Sequence, residues 1–517
     1  MPSTFNWVHL IPCVTRRQAA FVFLLVAISS LSLARGRPAL APASKPAVFP
    51  LKVSENKRYL VDQNGTPFFI VADSPQGLMS RLSERDAEVY FADREAHGFN
   101  TLGWIDVACA GPDYPLSPHA ATPDGIRPFT AFLSGGSDYT YYDLSKPNEA
   151  YFVRLDHMLK LAAAHHLAVF LDPIETIGWL PTLRRNGVQA AYAYGQFLGR
   201  RYANFANVFW ISGNDFRTWH AGEDGALLRA AKDGIRPFVR TWRARNDDAL
   251  VQAVSKGIRT TAPQQLQTLE LEPPTTSSFD DSGWAKLLDL NGTYTYSPTY
   301  IQMLHSYNQK PTVPTFLMEA HYEFENIGDP TDEGDPFVLR KQEYWAVLAG
   351  GTGQFYGSDY TWTFKNGWRE HMDTIGVQQI GYWKDFFLSI PWQKLVPDQS
   401  GAVLASGSGS ACDLKTPVSK CDHAFAAKSV DGSVIVVYLA APRTITVNLR
   451  GLSNTASASW FDPSNGAYKS ISGKEFPNTG FQEFTPPGNN HSGEGDWVLL
   501  LKTMDQTQRK AVKRAVK

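Results

Sequence analysis

Residues 148–171 read NEAYFVRLDHMLKLAAAHHLAVFL, and this stretch decides the fold class. Phe152, Leu155 and Leu159 recur in it at steps of three and four, a spacing that places apolar side chains on one face of an α-helix. The apolar run at 168–171 follows at once and is typical of a short buried strand. A helix that leads directly into a buried strand is the repeating unit of α/β proteins.

The same alternation continues on both sides of that stretch. Apolar runs that we interpret as buried strands lie at 68–72, 100–105, 168–171, 208–211, 250–254, 287–290, 313–318 and 353–356. Amphipathic stretches that we interpret as helices lie at 84–97, 148–166, 188–202, 226–244, 337–348 and 376–388. Eight strand–helix units over about 320 residues predict an α/β fold of the (β/α)8, or TIM-barrel, type, which we place at residues 51–395.

A doubly wound open sheet is the structural alternative. Such a sheet usually shows a glycine-rich fingerprint after its first strand, and the segment Asp73-Ser74-Pro75-Gln76-Gly77 is not one. The barrel is therefore the preferred interpretation. Just before it, Asn64-Gly65 is a turn signal that predicts a hairpin over residues 58–71.

The pattern changes after the barrel. Residues 396–503 carry short alternating runs separated by Gly, Pro, Asn and Ser, as at 433–439, 444–449, 456–461 and 497–501. Helical periodicity is absent from this region, so we predict a small all-β sandwich domain. The final residues, 504–517, are basic, and we interpret them as a solvated tail.

The N-terminus is typical of a secretory signal peptide, which we place at residues 1–34. Arg16 and Arg17 precede an apolar run at 19–33, and Ser32-Leu33-Ala34 supplies a small-x-small cleavage site. The run is shorter than the ~20 residues that span a bilayer, although an uncleaved anchor is the alternative. Residues 35–50 are predicted to be a linker. We expect a secreted or periplasmic protein with no membrane association after cleavage.

The cysteine pattern agrees with export. Cys412 and Cys421 lie close together in a turn-rich stretch, and an oxidising compartment would join them in a disulfide. Cys109 is interpreted as a buried small hydrophobic residue. The sequence contains no Cys-x-x-Cys pair and no His-Glu-x-x-His motif, so we expect neither a metal nor another cofactor.

Charge and aromatic content narrow the class of partner. The chain of 517 residues has 49 Lys+Arg against 50 Asp+Glu, so it offers no basic field to attract nucleic acid. Aromatic residues make up 13% of the sequence. They either fill a large core or provide faces that stack on sugar rings, and composition leaves both interpretations open.

The barrel prediction selects a few carboxylates, because reactive side chains in this fold follow the C-terminal ends of strands. Two buried runs end in this way: VFWISGND closes with Asp215 after strand four, and TFLME closes with Glu319 after strand seven. Strands four and seven lie on opposite sides of a barrel mouth. A pair of carboxylates there suits glycosidic bond cleavage, in which one protonates the departing oxygen and the other attacks the anomeric carbon or activates water.

Several short segments resemble a known family, the apiosidase-like glycoside hydrolases, over about residues 50–395. They are Asp73-Ser74-Pro75, His97-Gly98-Phe99-Asn100, Asn148-Glu149-Ala150-Tyr151-Phe152, the segment ending in Asp215, Met318-Glu319-Ala320-His321-Tyr322-Glu323, and Gly353-Gln354-Phe355-Tyr356-Gly357. Trp460-Phe461-Asp462-Pro463-Ser464-Asn465-Gly466 and Trp497-Val498-Leu499 resemble the β domain often attached to this family. That domain carries a collagen-binding label, which we do not take literally.

The resemblance implies roles for the carboxylate pair. It implies that Asp215 is the general acid/base and Glu319 the nucleophile of a retaining enzyme. Two positions depart from the family: Asn214 stands where Gly is usual, and Gln76 stands where the first-strand motif continues into Trp. Asn214 either contacts a sugar hydroxyl or fills a position with positive φ. The absence of Trp at position 76 argues against carrying over the family's apiose specificity.

Other side chains near strand ends are candidates for substrate binding. Tyr322 is interpreted either as a hydrogen-bond donor that orients Glu319 or as a packing residue. The remaining candidates are Asp73, Trp104, Asp106, Asp172, Glu175, Asn214, Tyr294, Tyr296, Glu323, Asp359 and Trp362.

Three functions compete at this point. The first is a secreted glycoside hydrolase that cleaves a terminal glycosidic bond of a polysaccharide or oligosaccharide side chain, with carbohydrate as its partner. The second is a non-catalytic carbohydrate-binding protein on the same scaffold, and the presence of both Asp215 and Glu319 argues against it. The third is an adhesion protein that works through the C-terminal domain, for which the sequence shows no repeat or basic stripe. We make no prediction of oligomeric state.

Overall fold

The structure, a computed structural model, describes residues 46–111, 119–216, 237–471 and 475–504. The predicted signal peptide, most of the predicted linker and the basic tail after Met504 lie outside these ranges. In the described part of the chain, no helix is both long enough and apolar enough to cross a membrane.

Eight parallel strands form the sheet that carries the site, in the spatial order β5-β4-β3-β2-β1-β8-β7-β6. They are β1 Ile70–Asp73, β2 Thr101–Asp106, β3 Ala168–Asp172, β4 Val208–Phe216, β5 Gln267–Leu271, β6 Asn291–Thr295, β7 Thr315–Glu319 and β8 Gly353–Tyr356. A short strand, Thr275–Ser277, pairs antiparallel with β6. Ser278 Oγ donates to Leu269 O of β5 and accepts from Gly292 N–H of β6, so the barrel is nearly closed.

An α-helix follows every strand of the barrel except β5, which is followed by the short strand Thr275–Ser277 and a 3-10 turn at Ser278–Asp280. The helices are α1 Leu78–Arg81, α2 Glu84–Ala96, α3 Glu149–Ala164, α4 Thr176–Tyr202, α5 Pro237–Thr261, α6 Thr299–Asn308, α7 Pro336–Leu348 and α8 Ile375–Leu388. The stretch that opened the analysis behaves as expected: Asn148 caps α3 by accepting from Ala150 N–H. Phe152, Leu155 and Leu159 are fully buried. The TIM-barrel prediction is confirmed.

The predicted fifth strand is wrong. Residues 250–254 lie in the middle of α5, where Val251 and Val254 are buried against α4. The two helices approach so closely that a Cβ at Gly195 would lie 2.1 Å from Val254 O. A five-residue, mostly apolar run fits a buried helix as well as a buried strand. Here residues 250–254 are part of the helix that packs against α4. The fifth strand is Gln267–Leu271.

Three further boundaries differ from the prediction. The apolar run at 287–290 precedes strand six, which begins at Asn291. Helix α4 begins at Thr176, twelve residues before the predicted start at 188, and is kinked at Gly187, whose φ is 79°. The helix predicted to end at 244 continues to Thr261, and the first part of its predicted range lies outside the described residues.

The hairpin before the barrel forms as predicted and closes its N-terminal end. Strands Lys52–Val53, Leu60–Val61 and Pro67–Phe68 pair antiparallel. Leu60 and Phe68 join the barrel's interior core.

The C-terminal region forms two antiparallel sheets. One has the order β9-β11-β12-β17-β14-β15, and the other has the order β10-β13-β16. The strands are β9 Leu395–Pro397, β10 Leu404–Ser406, β11 Phe425–Ser429, β12 Val434–Leu439, β13 Ile445–Asn448, β14 Ala456–Phe461, β15 Tyr468–Ser470, β16 Phe481–Phe484 and β17 Trp497–Thr503. Buried side chains of both sheets, among them Val437, Val447 and Leu499, share one core, which makes this a β sandwich.

The sandwich packs on the barrel through α7. Arg340 makes a two-pronged ion pair with Asp496, with both N–O distances at 2.9 Å and both side chains buried. Beside it, the rings of Tyr344 and Tyr438 stack at a centroid distance of 5.1 Å. The two parts therefore share a buried interface as well as a chain connection.

Candidate active site

Two carboxylates stand at the C-terminal ends of opposite strands. Asp215 lies near the end of β4 and Glu319 at the end of β7, and both side chains are half-buried. The charge of Asp215 acts on Glu319, so the two groups lie within electrostatic reach of each other. The pair that the strand-end rule selected is thus brought together at the barrel mouth.

A β-bulge near the end of β4 sets the orientation of the Asp215 side chain. Gly213, Asn214 and Asp215 have φ values of 125°, 73° and 52°, and the register between β4 and β5 shifts at this point. A Cβ at Gly213 would lie 2.2 Å from Glu270 O, so only glycine fits there. Bulges of this kind redirect a side chain at the rim of a barrel. The positive φ explains an Asn at position 214 without requiring a sugar contact.

Glu319 is held by tyrosine hydroxyls. Tyr322 OH donates to Glu319 Oε2 across 3.0 Å, which is the orienting role predicted as one of its two alternatives. Burial and the neighbouring charge of Asp215 raise the pKa of Glu319 to about 8, while hydrogen bonds from Tyr322 and Tyr294 oppose the rise. Through this coupling, the pair of Glu319 and Asp215 retains one proton at neutral pH.

Gln76 links the two halves of this site. Its Nε2 donates to Tyr322 OH across 3.1 Å, and its Oε1 accepts from Asn214 Nδ2 across 3.3 Å. Gln76 is 4% exposed. The amide at this position is therefore an internal bridge, whereas a Trp there would offer a surface for stacking.

Glu270 is a site residue that the sequence analysis missed. It lies on β5, is 2% exposed, and its Oε2 accepts from the backbone N–H of Asp215 across 3.1 Å. Burial, then the charges of Glu319 and Asp215, raise its pKa well above the usual value. The alternation in Gln267-Thr268-Leu269-Glu270-Leu271 was the available signal, and the misplaced fifth strand hid it.

Tyr296 and Glu325 extend the wall beside β7. Tyr296 OH donates to Glu325 Oε1 across 3.1 Å, and Glu325 Oε2 accepts from Tyr322 N–H across 3.0 Å. Tyr294 is a residue of β6 itself and lies against Tyr296, with a ring-centroid distance of 5.8 Å. Tyr294 donates to Glu319, and Tyr296 is linked to Glu319 through Glu325 and Tyr322.

A second group of carboxylates lies beneath the mouth at β2 and β3. Asp106 and Asp172 are register partners, and both are fully buried. Burial, the charge of Asp106 and the charge of Glu175 raise the pKa of Asp172 well above its usual value, and the hydrogen bond from Ile174 N–H opposes the rise. Glu175 caps α4 by accepting from Gly178 N–H at 2.9 Å, and Trp104 is fully buried in the barrel core.

Other predicted binding residues have structural contacts instead. Asp73 is fully buried and pairs with Arg94 at 2.9 Å. Glu323 is 1% exposed and accepts from Gly376 N–H at 2.9 Å at the start of α8. Both carboxylates therefore have partners inside the fold, and their role in substrate binding stays a prediction. Asp359 and Trp362 are half-buried in the loop after β8, where Asp359 pairs with Lys365.

Two of the cysteines form the predicted disulfide. Cys412 and Cys421 form a disulfide with a Cα–Cα distance of 5.9 Å, and Cys109 is free and buried. Within the described ranges, no cluster of three or more His, Cys, Asp or Glu side chains could hold a metal ion.

A barrel with paired carboxylates at the ends of β4 and β7 is typical of one class of enzyme, the glycoside hydrolases. Residues 54–394 match the family described as "Apiosidase-like, catalytic domain", and residues 413–502 match the "Putative collagen-binding domain of a collagenase". The chain belongs to the apiosidase-like family and is a glycoside hydrolase. No curated protein matches it.

Solved structures show the same fold. A chain titled "Glycoside hydrolase" aligns with a TM-score of 0.69 at 24% identity, covering 88% of this chain and 96% of its own. A family 5 glycoside hydrolase from Bacteroides vulgatus also gives 0.69, at 22% identity with coverage of 88% and 93%. At these identities the likeness concerns the fold alone.

Proposed function

We propose that this glycoside hydrolase cleaves a terminal glycosidic bond of a polysaccharide or oligosaccharide side chain by a retaining double displacement. The observation that carries the proposal is the pairing of Asp215 and Glu319, two half-buried carboxylates that act on each other at the ends of β4 and β7. They are the partly open members of a group that also includes the buried Glu270.

In the first step, the Glu319 carboxylate attacks the anomeric carbon. Asp215, protonated, gives its proton to the departing glycosidic oxygen as that bond breaks. The hydroxyl groups that donate to Glu319 stabilise its ionised form and so favour the proton on Asp215.

In the second step, Asp215 acts as a base. It takes a proton from water, the water oxygen attacks the anomeric carbon, and the bond to Glu319 breaks. Each carboxyl group returns to its starting protonation state. Retention requires the carboxyl groups about 5–5.5 Å apart with a sugar bound.

We also propose that the protein acts outside the cytoplasm. The Cys412–Cys421 disulfide supports this location, because disulfides persist in oxidising compartments. N-terminal sequencing of the exported protein would test cleavage after Ala34.

The substrate is open to a direct test. We would assay the purified protein against activated aryl furanosides and pyranosides and then measure Asp215→Ala and Glu319→Ala on the best substrate. Both variants should lose turnover and should still unfold in a single cooperative transition. Near-native turnover by the Glu319 variant would contradict the assignment.

A further inference from the structure

The disulfide closes a loop that reaches back to the barrel. This disulfide loop, residues 412–421, belongs to the C-terminal β region, and its Leu414 is 48% exposed. Polar groups of the loop contact the segments after β6 and β7. These segments carry Tyr296 and Tyr322.

Helix α7 provides the loop's firmest attachment. Lys341 is 2% exposed, and its Nζ donates to Val418 O, Ser419 O and Cys421 O at 3.0–3.1 Å. Burial lowers the pKa of Lys341 to about 8. Three carbonyl oxygens on one buried amine fix the position of the disulfide loop against the barrel.

Two side-chain contacts connect the disulfide loop to the segments after β6 and β7. Ser297 Oγ donates to Leu414 O across 2.7 Å, and Ser297 directly follows Tyr296. Ser419 Oγ donates to Pro330 O across 3.0 Å, in the segment after β7. The loop therefore contacts both aromatic segments that flank Glu319.

A continuous hydrogen-bond path then leads to the carboxylate. Tyr296 OH donates to Glu325, Glu325 accepts from Tyr322 N–H, and Tyr322 OH donates to Glu319. Every contact in the path is 3.0–3.1 Å long. Tyr296 also lies edge-on to the buried His321, with a ring-centroid distance of 4.8 Å.

We propose that the disulfide loop is a positioning element of the active site, which fixes Tyr296 and Glu325 and thereby holds Tyr322 in donating geometry on Glu319. The β region thus completes the catalytic barrel. The part of this inference that concerns turnover rests on the proposed function.

The experiment compares the full-length wild type with Cys412→Ser/Cys421→Ser and with Ser297→Ala. Ser406→Ala is the matched control, because its hydroxyl bonds Thr446 within the β sandwich. Hydrogen–deuterium exchange would be followed in peptides covering 294–300 and 320–326. Turnover would be measured from pH 4 to 9 on the activated glycoside.

The disulfide variant should exchange faster in both peptides, with Ser297→Ala showing a smaller increase and Ser406→Ala none. The kcat/KM of the disulfide variant should fall about fivefold to fiftyfold, mostly through a lower kcat. Because a weaker Tyr322 hydrogen bond destabilises ionised Glu319, the acidic limb of kcat/KM should move to higher pH.

Unchanged exchange at 320–326 in the disulfide variant would overturn the inference. A fall in activity with an unmoved pH profile would also overturn it, since that pattern marks a general loss of folded protein. If the wild type hydrolyses no glycoside, the proposed function fails, and the exchange result still decides whether the loop fixes these segments.

Discussion

The backbone N–H of Asp215 donates to Glu270 Oε2 across 3.1 Å, so the end of β4 is held by a carboxyl group on β5. The bulge in β4 releases this N–H from the regular strand ladder, and Glu270 replaces the lost partner. The other oxygen, Glu270 Oε1, is buried without a hydrogen-bond partner in the part of the chain that the structure describes. A neutral carboxyl group suits this position better than a charged one.

Substitutions at Glu270 test whether its carboxyl group is uncharged in the folded protein. Glu270→Gln keeps the shape, the acceptor for Asp215 N–H and the absence of charge, so kcat/KM should stay within about threefold of wild type. Glu270→Ala leaves the N–H unpaired and should lower kcat/KM by about tenfold or more. Steady-state kinetics on the activated glycoside measure both. A Gln variant as impaired as the Ala variant would show that Glu270 works as a charged group.

The stability of the protein should depend on pH through the coupled pair of Glu319 and Asp215. Burial and the charge of Asp215 raise the pKa of Glu319 to about 8 in the folded state, above the ordinary value of 4.5, so the folded pair binds more protons between these values. The stability from this group is therefore complete below pH 4.5 and is lost as pH rises toward 8. Glu319→Gln removes the loss and should be more stable than wild type by about 1–3 kcal/mol at pH 8.

The Glu319→Gln advantage should shrink toward zero at pH 4.5, as measured by urea unfolding across this range. Glu483→Gln, on the exposed strand β16, is the control and should show no such trend. A Glu319→Gln gain that does not change with pH would argue against a buried, proton-binding Glu319.

The buried ion pair between the barrel and the sandwich should contribute more to the free energy of unfolding than a surface pair does. Arg340→Met leaves Asp496 buried without its cation and should destabilise the protein by about 3–5 kcal/mol in denaturant unfolding. Arg340→Met/Asp496→Leu should recover much of this loss. Arg443→Met, which breaks a more exposed pair with Asp422, should cost less than about 1 kcal/mol. Equal losses for the two single Arg variants would contradict the buried interface.

The sequence predicted the barrel well where the pattern was long and periodic. Helix α3 and strand β3 follow directly from the steps of three and four and the apolar run that opened the analysis. Strand β5 was missed because only Leu269 and Leu271 are apolar among its five residues. An apolar run inside α5 competed for the assignment and matched the expected strand length.

Only those site residues that lie at the ends of barrel strands could be predicted from the sequence. Asp215 and Glu319 follow from the rule that reactive groups lie after barrel strands. The bridge by Gln76 joins residues 138 and 246 positions away in the sequence, so no local pattern could show it. Likewise, no local pattern could show that Asp73 pairs with Arg94 or that Glu323 accepts from the start of α8.

The central claim is that Glu319 attacks the sugar and Asp215 transfers the proton. The most direct measurement is the product formed by Asp215→Ala and Glu319→Ala with an activated glycoside in the presence of azide, with the anomeric configuration read by NMR. Azide should replace the missing Glu319 and give a glycosyl azide of inverted configuration, whereas with Asp215→Ala it should attack the glycosyl-enzyme and give retained configuration. Retained product from Glu319→Ala, or turnover by that variant without azide at a near-native rate, would contradict the account.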